Sequence, residues 1–148
     1  MTSEGKTEHV VVGVDGSAES TTAMAWAARY ATATGATIRA VMAWHFPGAV
    51  GTGPVGLAPA AVSGEVEQAK QSELDKAIAA GFGAADLTVE RKLVYGRAAQ
   101  VLIDESKDAD LLVVGSRGHG GFTGMLLGSV STHCVTHAAC PVTVVRTS

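Results

Sequence analysis

Apolar and polar positions along the chain follow two alternating rhythms. The stretch "HVVVGVDGS" is a β-branched apolar run closed by a turn signal, the pattern of a buried strand. From about Ser20 to Thr34 apolar residues recur at helical spacing. Ala23, Ala27 and Ala31 share one face of that helix, and Gly35 follows as a stop. "ATIRAVMAW" predicts a second strand. "HFPGAVGTGPVGLAPAAVSG" carries three prolines and several glycines, so residues 46–64 are expected to form an exposed, mobile loop. A charged amphipathic helix is expected from Glu65 to Ala80, ended by "GFG".

The second half repeats the alternation. "LTVERKLVYG" alternates apolar and polar, as in a strand with one face less buried. "AAQVLIDESK" predicts a short helix, and "ADLLVVGS" is the most apolar strand of all. "SVSTHCVTHA" predicts a helix and "PVTVVRTS" the final strand. The order βαβαβαβαβ implies parallel pairing through right-handed crossovers. The expected fold is therefore α/β: a five-stranded parallel open sheet, order 3-2-1-4-5, with helices on both faces. With no internal repeat and no boundary, residues 1–148 read as one domain. In such a sheet a ligand sits beyond the carboxyl ends of the strands where the winding reverses. That point lies between "VDGS" and "VGSRGHGG".

Composition narrows the function. Ala and Val dominate an apolar fraction of 47%, and aromatics are only 5%, so the elements must pack closely through small side chains. The net charge of -3, with no basic block, argues against nucleic-acid binding. The polar start "MTSEGKTEH" does not resemble a signal peptide, and no apolar run is long enough to predict a membrane helix. Cys134 and Cys140 imply no oxidising compartment, so they are expected as buried thiols in a cytoplasmic protein.

The candidate chemistry is concentrated in "VVGSRGHGGFTGMLLGS", residues 113–129, with glycines at 115, 118, 120, 121, 124 and 128. Glycine permits positive φ and lets another atom approach the backbone. Exposed N–H groups then form an anion-binding concavity, and a helix opening at Gly128-Ser129 adds orphan N–H groups and a favourable dipole. Ser129 also offers a hydroxyl. A P-loop would need a lysine before the serine, but Gly128 stands there. The dinucleotide fingerprint belongs after the first strand, and read from Gly118 it meets Thr123 where its third glycine should be.

The spacing that does fit is G-x2-G-x9-G-[S/T], formed by Gly115, Gly118, Gly128 and Ser129. With "VVVGVDGS", "YGRAAQVLIDESKDADLLVVGSRGHGG" and "LLGSVSTHCVTHAACPVTVVR", the chain resembles the universal stress protein family, in its ATP-binding subgroup. The resemblance covers nearly the whole chain. It implies a flavodoxin-like fold, bound ATP and a homodimer. It implies that Gly115 and Gly118 lie along the ribose and first phosphate. Gly128 and Ser129, with the Val130 amide, would hold the outer phosphates. Asp15 would lie near the nucleoside, and the Ala43 backbone would read adenine.

Several side chains keep two readings. A carboxylate beside a triphosphate is repulsive unless a cation or a hydroxyl intervenes, so Asp15 would contact the sugar or a water on Mg²⁺. Equally, it would shape the Asp15-Gly16-Ser17 turn. Arg117 would contact a phosphate or be a solvated loop residue, and His119 has the same two possibilities. His133 and His137 stand i, i+4 beside Cys134 and Cys140, but Cys134 points away from His133, so a helix surface with a buried thiol is expected rather than zinc. Ser17, Ser116 and Ser129 have no evident triad partners, and no general base for hydrolysis is identified. The expected function is a non-enzymatic, ATP-binding stress sensor or adaptor with an unidentified protein partner. A slow ATPase or phosphotransfer enzyme, and a cyclic-nucleotide (cAMP) binder, are the alternatives. The final strand, with Val142, Val144 and Val145 on an uncovered sheet edge, is the expected homodimer contact.

Overall fold

The computed structural model describes residues 6–45, 59–83, 87–118 and 127–147, with backbone alone at 59–63. Five strands, β1 (His9–Gly13), β2 (Thr37–Trp44), β3 (Val89–Tyr95), β4 (Leu111–Gly115) and β5 (Val142–Val145), form one parallel sheet in the order β3-β2-β1-β4-β5. The helices are α1 (Ala18–Thr34), α2 (Pro59–Phe82), α3 (Ala98–Glu105) and α4 (Ser129–His137). This is the flavodoxin-like arrangement that the element order predicts.

Alternation along the strands sorts the core into two layers. Val10, Val12, Ile38, Ala40, Met42 and Val113 pack with Ala23, Met24, Ala27 and Ala31 of α1 and with Leu74, Ala77, Ile78 and Phe82 of α2. Val11, Val41, Leu112 and Val114 face the other way, onto Val101 and Leu102 of α3 and Cys134 of α4. The central strands β1 and β4 are apolar on both faces because both faces are covered. The edge strands β3 and β5 are less buried. Arg39, a charge within β2, is accommodated by Glu90 and Glu105, each 3.0 Å away, and Glu105 also takes Lys92 at 2.8 Å.

Element boundaries differ from expectation where a cap decides them. α1 starts at Ala18, two residues before Ser20, because Ser17 Oγ accepts from Ser20 N–H. It stops at Gly35, whose φ of 78° is the left-handed C-terminal conformation. α2 starts at Pro59, not Glu65, so the end of the expected 46–64 loop is helical. Proline suits a first turn, where its missing N–H has no intrahelical partner. The remainder of that loop, 46–58, lies outside the described residues. α3 ends two residues before Lys107 and gives way to a 3-10 turn over Ser106–Asp108.

Candidate functional site

The carboxyl ends of β1 and β4 diverge at the winding reversal, and a cavity of about 470 Å³ opens there. Gly13, Val14 and Asp15 come to it from β1, and Val114, Gly115, Arg117 and Gly118 from β4. The amino end of α4 supplies Gly128, Ser129, Val130 and Ser131. All eight residues expected at the site, Asp15, Ala43, Gly115, Arg117, Gly118, Gly128, Ser129 and Val130, line this one cavity. His119 and the middle of the glycine stretch lie outside the described residues.

The two ends of the stretch are tied together. Gly128 N–H donates to Ser116 O at 2.6 Å. Ser131 Oγ stands 2.8 Å from the same oxygen and 3.1 Å from Gly128 O. The Gly128 amide is therefore occupied within the protein. The first-turn N–H groups of α4 that remain for a ligand are those of Ser129, Val130 and Ser131, since a helix start leaves its leading amides without intrahelical acceptors. Gly128 itself has no side chain to cap them.

The glycines act through space rather than through φ. Among the described residues positive φ occurs at Gly16, Gly35, Gly83 and Gly96, not at Gly115, Gly118 or Gly128. A Cβ at Gly128 would stand 3.3 Å from Arg117 Cα. A Cβ at Gly118 would stand 2.5 Å from Asp15 Oδ2. At Gly115 it would meet Glu19 Cβ at 2.8 Å and Glu19 C and O at 2.9 Å, so this glycine is required by the packing of α1 as well as by the cavity it lines.

Asp15 shapes the turn into α1 and also lines the cavity. Oδ1 accepts from Ser17 N–H at 2.9 Å and from Ser17 Oγ at 2.5 Å, which shapes the turn into α1. Oδ2 lies against Gly118 at the cavity wall. Arg117 is neither simply solvated nor free: its Nη2 is 3.4 Å from Glu19 Oε2.

The sequence reading missed part of the wall. Val41 and His45 share the Ala43 side of β2, a period-two signal that was present in "VMAWH". Ala98 and Leu102, one helical turn apart on α3, close the apolar side. Outside the cavity, His133 is exposed and its Nδ1 lies 2.7 Å from Ser129 O. Cys134 is fully buried, and burial, with a smaller contribution from Cys140, pushes its thiol up to about 11. Cys140, expected to be buried, is only half-buried because it lies past the end of α4.

The sequence profile of the universal stress protein family matches residues 6–146. The chain belongs to the universal stress protein family. A universal stress protein of Mycobacterium tuberculosis is 41% identical over 141 residues, covering 94% of this chain and 45% of its own length. This chain thus spans less than half of that relative. The crystal structure of a universal stress protein in complex with cAMP is 30% identical, covers 96% of this chain and 98% of its own, and superposes with a TM-score of 0.68. The universal stress protein from Archaeoglobus fulgidus in complex with dAMP shares the fold at 20% identity, with a TM-score of 0.64 and coverage of 93% and 96%. No helix among the described residues of this universal stress protein is long and apolar enough to cross a membrane.

Proposed function

We propose that this universal stress protein domain binds an adenine nucleotide, ATP with Mg²⁺ foremost. In this reading it acts as a cytoplasmic, nucleotide-dependent sensor or adaptor for a protein partner, not as an enzyme. The observation that carries the reading is the convergence of Gly115, Gly118 and Gly128 with the open first turn of α4 on one cavity. Its volume, about 470 Å³, is within the range of small-molecule sites. The amides of Ser129, Val130 and Ser131 suit phosphate oxygens by hydrogen bonding and by the helix dipole. Val14, Val41, Ala43, Ala98 and Leu102 provide an apolar surface for a base. Asp15 Oδ2 suits a ribose hydroxyl or a water held by Mg²⁺.

The test is a thermal melt with Mg-ATP. Micromolar affinity, about -8 kcal/mol, is expected. At a ligand concentration ~100 times Kd, linkage should add about 2.7 kcal/mol of stability. An unmoved melt at millimolar Mg-ATP overturns the reading. The structure bound to cAMP favours a second reading, a cyclic-nucleotide site. A larger shift with cAMP than with Mg-ATP at the same ligand concentration would select it. Phosphate released from ATP by the purified chain would select the slow ATPase instead.

We also propose a homodimer through β5. Leu112 N–H donates to Pro141 O and Ser116 N–H to Val145 O. Residues 141, 143 and 145 therefore turn their backbone groups toward β4, and Val142 and Val144 turn theirs outward. Val144→Pro removes an outward N–H and leaves the β4 ladder intact. It should give monomers by light scattering. A wild-type mass of one chain at micromolar concentration would refute the dimer.

A further inference from the structure

The glycine stretch is unusually poor in charge. From Gly118 to Val145 the sequence contains no Lys, Arg, Asp or Glu, so Arg117 supplies its one full cation. That cation is already engaged by Glu19 Oε2 at 3.4 Å. Glu19 is well shielded, with a side chain 17% exposed, and the same oxygen accepts from Thr147 Oγ1 at 3.3 Å. Its backbone is pressed against Gly115, where even a Cβ would come within 2.9 Å of Glu19 C and O. The carboxylate is thus anchored at its root and held at its tip. Glu19 stands behind Arg117, and Asp15 places a carboxylate on the cavity wall itself. Each phosphate oxygen entering here would meet neutral amides and a guanidinium whose charge Glu19 offsets.

We propose that Glu19 is a specificity-determining residue that acts through Arg117. It competes with the ligand's phosphates for the guanidinium, and so favours adenine nucleotides of low phosphate charge or with Mg²⁺ on their phosphates. This inference rests on the nucleotide reading of the cavity. The physical basis is Coulombic: the penalty from an anchored carboxylate grows with the number of ligand charges and falls when a divalent cation neutralises them. Salt screens it only partly, because the pair is partly buried.

Glu19→Gln keeps the shape and an oxygen acceptor for Thr147 while removing the charge. Calorimetry of the full chain with ATP, cAMP and adenosine, in EDTA and in Mg²⁺, is the test. ATP in EDTA should bind about fivefold more tightly to Glu19→Gln than to the wild type, the scale of one partly exposed ion pair. The gain should shrink with Mg²⁺, be smaller for cAMP, and vanish for adenosine. In an Arg117→Ala background the same substitution should give a reduced gain. If Glu19→Gln fails to fold, Glu19→Asp, which draws the carboxylate back by one methylene, should give the same ranking of ligands. Equal gains for all three ligands, no gain for ATP, or a gain undiminished by Arg117→Ala would overturn the role of Glu19 and leave the nucleotide reading standing. Wild-type protein that binds none of the three would overturn both.

Discussion

Gly128→Val should lose ATP binding by more than about a hundredfold while the chain remains folded. Gly128 has φ -79° and ψ 175°, extended backbone open to any residue, so the substitution brings no conformational strain at that position. Its consequence is spatial. The Cβ would lie 3.3 Å from Arg117 Cα and 3.6 Å from Gly118 N, and the two γ-methyls would take up space between the ends of the glycine stretch. The displaced strand end and helix start are the walls proposed to carry the phosphates. A hydrogen bond to a charged group contributes about 1.5–3 kcal/mol. Losing two such bonds amounts to about 3 kcal/mol or more, which corresponds to the expected hundredfold. Calorimetry reads the affinity, and circular dichroism reads the fold in the same sample. Unchanged affinity would exclude a phosphate site at α4.

Gly115→Val should do the opposite: it should damage the fold first. A Cβ at this position meets backbone atoms of Glu19 at 2.9 Å, and backbone in the first turn of α1 cannot rotate away as a flexible side-chain tip can. Gly115 also pairs in register with Val145, so β4 cannot shift without disturbing β5. Overpacking in a well-packed region costs about 1–3 kcal/mol and more where no side chain can yield. We expect a loss of at least about 3 kcal/mol, a large share of the stability of a small domain. Chemical denaturation should show an earlier midpoint with an unchanged slope. A midpoint equal to that of the wild type would mean that α1 can retreat from β4, contrary to the packing described. Gly115 and Gly128 belong to one sequence motif, yet they are expected to fail in different ways.

Much of this molecule was legible in its sequence. The apolar runs of β1 and β4 and the Ala23, Ala27 and Ala31 face of α1 declare their elements because burial on two faces or one stripe demands those patterns. Alternation of strands and helices then leaves few chain paths, and the observed order β3-β2-β1-β4-β5 is the one expected. Gly115, Gly118, Gly128 and Ser129 were legible because glycine spacing is a local signal, whereas Ala43 and Val130 came only with the family resemblance; the fold gathers all eight candidates at one cavity. Local signals could not say which atoms each glycine spares. Gly115 faces Glu19 at the start of α1, in a helix far upstream in the chain, Gly118 faces Asp15, and Gly128 closes on Ser116. The sequence likewise offered Arg117 as a phosphate ligand or a solvated side chain, and only the tertiary structure brought it to Glu19. The physical reason is the same in each case. Period and propensity are set by neighbours along the chain, whereas close approach and charge pairing are set by residues that become neighbours only when the crossovers fold the helices back onto the sheet.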